Sequence, residues 1–185
     1  EQNAVTGRLN ALLKPFAKSF ISAYDKDSQV QGYPVKDVYF QKARVRKKLQ
    51  TIIFLGGSRG ARAINDLALS VAQDLKLKNI NIIHISGEND YERVKNEYKK
   101  LGIKVELHAF TKKLNKLISK ADLAISRAGA STLWELTASG LVSLFIPYPY
   151  AAGDHQYYNA RFIVENNLGW CERESENLKE KLLNI

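Results

Sequence analysis

A parallel, doubly wound α/β sheet is the fold class this sequence predicts, and three observations predict it. Short apolar runs recur at 51–55, 81–85, 104–108, 123–126 and 142–146. The segments between them carry their apolar residues at helical spacing. Small-residue turns follow several of the runs, among them Gly56-Gly57-Ser58-Arg59-Gly60 and Ala128-Gly129-Ala130-Ser131. Short apolar strands are what a sheet requires when helices cover both its faces. Strand–helix alternation of this length joins such strands in parallel.

Taken in order, residues 8–17 read as a short helix ending near Pro15, and 19–24 as a strand. Residues 30–36 contain Gly32-Tyr33-Pro34, a turn or crossover signal. The polar, charged stretch 41–50 is expected as a surface loop. The strand at 51–55 enters the glycine loop. The helix after it has Ala61, Ile64, Ala68, Val71, Ala72 and Leu75 on one face. Strand 81–85, helix 91–101, strand 104–108, helix 114–120 and strand 123–126 follow. Helix 132–139, strand 142–146, helix 155–166, a short strand near Trp170 and helix 176–183 complete the series. Ligands of such sheets bind outside the carboxyl ends of the strands. The loops at 56–60, 128–131 and 147–155 all follow strands, so they share that edge.

Composition narrows the class. The chain has 185 residues, 45% of them apolar, enough for one sizeable core and unlike a disordered segment. Its one cysteine, Cys171, rules out an internal disulfide and a cysteine metal cage. The three histidines are scattered and give no metal signature. No apolar run approaches the roughly 20 residues that span a bilayer. The chain begins Glu1-Gln2-Asn3 and has no methionine, so a piece of a longer protein is expected. The net charge of +9 gathers at 42–48, 95–104 and 112–120. Such clusters are either solvated lysine-rich surface or an attraction for phosphorylated ligands or anionic lipid. No nucleic-acid motif accompanies them, so nucleic acid is not expected as a partner.

Two blocks carry the chemistry. The first is Ser126-Arg127-Ala128-Gly129-Ala130-Ser131-Thr132-Leu133-Trp134-Glu135. A strand ending in a small-residue turn that opens a helix presents unpaired amides to an anion such as phosphate. Glu135 lies one turn further on. It either accepts from two neighbouring hydroxyls, as on a sugar, or closes a capping box with Thr132. Arg127 meets a phosphate or pairs with a carboxylate. The second block is Asp154-His155-Gln156-Tyr157-Tyr158-Asn159. Asp154 fits a helix N-cap. His155 suits either a general base or an ordinary polar position. Gln156 and Asn159 both donate and accept, as hydroxyl recognition requires. The loop holding Gly56, Gly57 and Gly60 lets backbone approach a bulky anion, or is a tight turn alone. Its spacing matches neither the dinucleotide fingerprint nor the P-loop. His84 and His108 fall in or at the ends of strands and read as structural.

Together with Glu1-Gln2-Asn3, Gly32-Tyr33-Pro34-Val35-Lys36 and Gly56-Gly57-Ser58-Arg59-Gly60-Ala61, these blocks occur in the order seen in the MurG family. The chain resembles the C-terminal half of those bacterial N-acetylglucosaminyltransferases over nearly its whole length. The resemblance implies the C-terminal half of a GT-B glycosyltransferase. Residues 1–50 would hold the end of an N-terminal domain, the linker and the first C-domain elements. Residues 51–185 would form a Rossmann-like domain that binds UDP-N-acetylglucosamine and is cut short at its C-terminus.

The resemblance also implies roles. Ser58 would face the donor diphosphate, with Gly56, Gly57, Gly60 and Gly129 shaping the phosphate loops. Ala130, Ser131 and Thr132 would line the phosphate site, and Glu135 would hold the ribose hydroxyls. Phe110, Thr111 and Leu114 would lie by the uracil. His155, Gln156 and Asn159 would read the sugar, and Asn3 would reach in from the interdomain edge. Lys36 stands where the family usually has arginine; it keeps the charge without the bidentate fork. Thr111 replaces a common aliphatic residue. The implied reaction is inverting transfer of N-acetylglucosamine to a lipid-linked muramoyl-pentapeptide, with no cofactor or metal required. The catalytic base and the acceptor site would belong to the absent N-terminal domain. The protein would sit peripherally on the cytoplasmic side of the bacterial inner membrane. Another GT-B UDP-sugar transferase, such as a glycolipid synthase, and a non-catalytic sugar-nucleotide module are the alternatives.

Overall fold

Strands whose side chains are mostly apolar on both faces have little to give to water, so their sheet must be covered on both sides. The computed structural model of the protein describes residues 1–28, 30, 32–57 and 61–185 and has this arrangement. The strands are β1 (Thr51–Leu55), β2 (Asn81–Ile85), β3 (Glu106–His108), β4 (Leu123–Ser126), β5 (Ser143–Phe145) and β6 (Gly169–Cys171). All pair in parallel, in the order β3-β2-β1-β4-β5-β6. Ile53 of β1 is level with Ile83 on one side and Ala124 on the other. Chain direction across the sheet reverses between β1 and β4, the place where such folds leave a crevice.

Side-chain alternation divides the core. Ile52, Phe54, Ile82, Leu123, Ile125 and Leu144 pack toward α3 (Arg62–Leu77), α4 (Tyr91–Lys100) and α8 (Leu178–Leu183). Ile53, Leu55, Ile83, Ile85, Ala124 and Phe145 pack toward α5 (Leu114–Lys120), α6 (Ala130–Ala138) and α7 (His155–Glu165). Tyr39 of the short helix α2 (Asp37–Phe40) joins this second face. On α3 the buried residues Ile64, Leu67, Ala68, Val71, Ala72 and Leu75 form the apolar stripe its spacing required. At the edge, β6 needs Gly169, because a Cβ there would lie 2.4 Å from the Ser143 carbonyl oxygen.

Several expectations require correction. Residues 19–24 form no strand. The segment has no neighbouring ladder and is fastened otherwise. The Ser22 amide donates to Ser28 Oγ, and the Tyr24 ring packs on Trp134 and Phe162 at 5.6 and 5.4 Å. The first helix divides into α1 (Arg8–Leu13) and a 3-10 turn at Lys14–Phe16, where Pro15 cannot continue α-helical bonding. Helix α2 was not anticipated. Helix α6 begins at Ala130 rather than Thr132.

Residues 41–50 form a loop, but its arginines are structural. The Arg46 guanidinium donates to the carbonyls of Ala121, Ser139 and Gly140 at 2.8–3.0 Å. Arg44 pairs with Asp122 at 2.7 Å and also donates to the Ser119 carbonyl. Helix C-termini leave carbonyls without partners. These two side chains supply the missing donors for α5 and α6 and tie the loop across the amino edge of the sheet.

Candidate functional site

The carboxyl ends of β1, β2 and β4 deliver Leu55, Ile85 and Ser126 to one cleft at the switch point, with a volume of about 240 Å³. Gly57 lines it from the turn after β1, where its φ of 73° suits glycine. Phe110, Thr111 and Leu114 form another wall between β3 and α5. Phe110 is half exposed, so an aromatic face stands open to the cleft. The Thr111 hydroxyl accepts from the Lys113 amide at 3.0 Å and shapes the turn into α5. An apolar slot with one ring face is suited to a flat heterocycle. Ser58 and Gly60, expected at the diphosphate, lie outside the described residues.

Gly129 and Thr132 close the cleft from the start of α6. Gly129 caps the helix in extended conformation, and its carbonyl takes the first helical bond, from the Leu133 amide at 3.0 Å. The amides of Ala130, Ser131 and Thr132 precede that bond and have no helical acceptor. With the helix dipole behind them they attract an anion. A Cβ at Gly129 would meet nothing within 4 Å, so the space before this turn is open.

The early start of α6 disposes of the capping box. Thr132 sits inside the helix and no side chain caps its N-terminus, so Glu135 has no cap to reach back to. Glu135 is instead half-buried against α2. Burial raises its pKa, while a hydrogen bond from Tyr39 and the charge of Lys36 oppose that rise. Lys36 is exposed at the start of α2. The Tyr33 hydroxyl lies 2.8 Å from Ser131 Oγ, which lays the 32–40 segment over the start of α6. The sequence reading gives Tyr33 a place in a turn but no site role, and Tyr39 none. A signal was available, since Asp37-Val38-Tyr39-Phe40 directly follows Pro34-Val35-Lys36 and suits a helix start.

Arg127 borders the cleft, but its charge is engaged. It donates to the carbonyls of Ile146 and Pro147 at 3.1 Å and pairs with Glu174 at 2.5 Å. The ion-pair reading therefore describes it. A second, more open cavity of about 510 Å³ lies beside the first and is lined in part by Gly56, Arg127, Tyr148 and Gln156.

The start of α7 is built differently from the expected N-cap. Asp154 adopts a left-handed conformation (φ 53°), and its carboxylate makes no cap bond. That backbone turns the side chain to Arg173, 2.6 Å away, and the guanidinium covers the Tyr157 ring at 4.2 Å. His155 donates through Nδ1 to the Ala152 carbonyl at 2.9 Å, which leaves Nε2 as an acceptor. Gln156 Oε1 accepts from the Tyr148 amide at 2.9 Å. Among the described residues its Nε2 bonds no protein atom.

Asn159 is fully buried. Its Nδ2 donates to the Ala128 carbonyl and to Asn3 Oδ1, both at 3.1 Å. Its Oδ1 accepts from the Ala4 amide at 2.7 Å. The structure thus brings Asn3 and Asn159 together and uses this amide to clip the N-terminal segment onto the turn before α6. Among the described residues no group of three or more His, Cys, Asp or Glu is placed so that it could hold a metal ion, and no helix is long and apolar enough to cross a membrane.

Comparison with known proteins supplies the family. Residues 51–185 match the model of the glycosyltransferase family 28 C-terminal domain. The chain is 62% identical, over its full 185 residues, to the UDP-N-acetylglucosamine–N-acetylmuramyl-(pentapeptide) pyrophosphoryl-undecaprenol N-acetylglucosamine transferase of Sulfurimonas denitrificans, and covers 54% of that protein. It is 55% identical over 183 residues to the transferase of the same name from a Sulfurovum species, with 99% of this chain and 54% of the relative covered. Among solved structures, Acinetobacter baumannii MurG superposes with a TM-score of 0.78 at 30% identity, over 100% of this chain and 56% of that one. The chain therefore spans about half the length of the curated relatives it matches.

Proposed function

The chain belongs to glycosyltransferase family 28, whose C-terminal domain it carries, and from that premise we propose that it is the donor-binding half of an enzyme that transfers N-acetylglucosamine from UDP to a lipid-linked muramoyl-pentapeptide. The observation that carries this reading is the cleft between β1 and β4, where an apolar slot stands beside the free amides opening α6. A uracil in the slot by Phe110, Thr111 and Leu114 would put the diphosphate at Ala130, Ser131 and Thr132. Glu135, one helical turn on, would accept from the ribose hydroxyls. Gln156 Nε2 and His155 Nε2 would meet the sugar, one donating and one accepting. The buried Asn159 would act by holding the neighbouring Asn3 segment.

In an inverting transfer the acceptor 4-hydroxyl oxygen bonds to C1 of the sugar as the bond from C1 to the diphosphate oxygen breaks. The hydroxyl proton passes to a base, which belongs to the half of the enzyme beyond this chain. The departing diphosphate gains negative charge. Helix-end amides aimed at that charge bind the transition state more tightly than the ground state. The names of the relatives support this choice of donor and acceptor. The excess of lysine supports peripheral attachment to anionic lipid at the cytoplasmic face of the inner membrane.

Calorimetric titration tests the reading. UDP and UDP-N-acetylglucosamine should bind, with competition favouring the N-acetylated sugar over UDP-glucose. The chain alone should transfer nothing to the lipid acceptor. Absence of UDP binding at millimolar nucleotide would overturn the assignment. Equal binding of other UDP-sugars would favour a glycolipid synthase.

A further inference from the structure

The turn after β1 rests on a buried polar chain that the proposed mechanism leaves unused. His84 of β2 is fully buried. Its Nδ1 lies 2.9 Å from the Tyr98 hydroxyl on α4, and its Nε2 lies 2.9 Å from Asn65 Oδ1 on α3. Asn65, also fully buried, donates through Nδ2 to the Ser86 carbonyl at 3.0 Å and to Asp90 Oδ2 at 2.7 Å. Asp90 in turn takes both arms of the Arg93 guanidinium at 2.6 Å.

Donor and acceptor roles along this chain are forced. Both Asn65 amide hydrogens are given away, so Oδ1 must accept and His84 Nε2 must carry a proton. Burial keeps the imidazole neutral, with its pKa pushed down to about 3. Nδ1 is therefore an acceptor, and the Tyr98 hydroxyl donates to it. Each group has one satisfied role, and such fully paired buried networks hold a single geometry.

That geometry reaches the glycine loop. A Cβ on Gly56 would lie 2.9 Å from Asn65 Oδ1 and 2.9 Å from the Ile85 carbonyl oxygen. The Gly56 amide donates to that same carbonyl at 2.8 Å. Bare backbone at Gly56 therefore sits directly on the Asn65 amide that His84 orients, and Gly57 beside it lines the cleft.

We propose that His84 and Asn65 are positioning residues, setting the height and tilt of the Gly56-Gly57 turn so that its backbone meets the phosphates of the bound nucleotide. This rests on the donor-binding reading of the cleft. It adds the prediction that the network acts on the phosphates and leaves the nucleoside slot at Phe110, Thr111 and Leu114 untouched.

The test titrates the chain with UDP and with uridine, following chemical shifts, with circular dichroism as the check on folding. The native chain should prefer UDP. His84→Phe, which removes both hydrogen bonds, should weaken UDP about fivefold and leave uridine within about twofold. His84→Gln can present an N–H at the Nε2 position and should recover most of the loss. If folded His84→Phe keeps the native UDP-to-uridine ratio, the network is structural support alone and the proposal is overturned. Should that variant unfold, Tyr98→Phe decides, because it removes only the hydroxyl; an unchanged ratio there overturns the proposal equally. A native chain that does not distinguish UDP from uridine would defeat the phosphate reading of the cleft itself, a failure visible before any variant is made.

Discussion

Glu135 shows how one residue can be held at a cost to the fold. Burial raises its pKa, so the folded chain binds a proton more tightly than the unfolded chain does. Stability then falls as pH rises from the ordinary carboxylate range through the raised value, and at neutral pH the penalty is fully expressed. Glu135→Gln removes the charge and should leave the melting temperature unchanged or slightly higher. If the proposed site holds, it should weaken UDP about tenfold, because the ribose hydroxyls would lose a charged acceptor. A variant that melts much lower yet binds UDP normally would show that the carboxylate serves the fold. Asp90 behaves in the opposite sense. The Arg93 guanidinium holds its carboxyl down at about 2. Its contribution is complete above the ordinary aspartate value and is lost as pH falls toward 2. Acid denaturation of Asp90→Asn should lack that part of the decline.

Among the elements, the loop at 41–50 gains its order from the helices it crosses. Arg46 gives hydrogen bonds to carbonyls of Ala121, Ser139 and Gly140, at the ends of α5 and α6. Arg46→Ala removes all of these donors and should cost about 2 kcal/mol in urea unfolding. Lysine would restore little, since an ammonium cannot span acceptors that a planar fork reaches together. The clip at Asn159 is a second device of this kind. Asn159→Leu should release the Ala4 amide, and hydrogen exchange there should rise while exchange in β1 and β4 stays slow. Glycine at position 56 is required by contact and by no special dihedral. Gly56→Ala should therefore destabilise the β1–β2 end through collision with the Ile85 carbonyl.

At the scale of the molecule, one sheet edge holds everything the proposed function uses. The cleft, the α6 amides, Glu135 and the α7 turn all lie after strands, on the side where the strand order reverses. The opposite edge carries the arginine ties and Asp122, whose carboxylate accepts from the Gln50 and Thr51 amides. Stability and binding are thus built at opposite ends of the same strands. Raising salt should weaken nucleotide binding only modestly, since amides and a helix end, rather than exposed lysines, meet the phosphates in the proposed site. A steep fall in UDP affinity between low and high salt would transfer that role to the lysine clusters.

Periodicity and turn chemistry determined the sheet. The ranges 51–55, 81–85 and 123–126 are read directly from apolar runs and their punctuation, because a strand buried on both faces has little freedom of composition. The residues that the motifs single out at Phe110, Thr111, Leu114 and Gly129 lie together in the walls of one cleft, reached from separate strand ends. What the tertiary structure alone decided was the use of each polar group. Thr132 and Glu135 have the spacing of a capping box, yet two further residues of helix remove the cap. Asn159 has the chemistry of a sugar reader, yet burial turns its amide to Ala128 and Asn3. His84 looks like any strand histidine until Asn65 and Tyr98 meet it from two different helices. Hydrophobic pattern is a local property and survives in one dimension. A hydrogen bond depends on which distant group arrives at 3 Å, and only the folded chain specifies that.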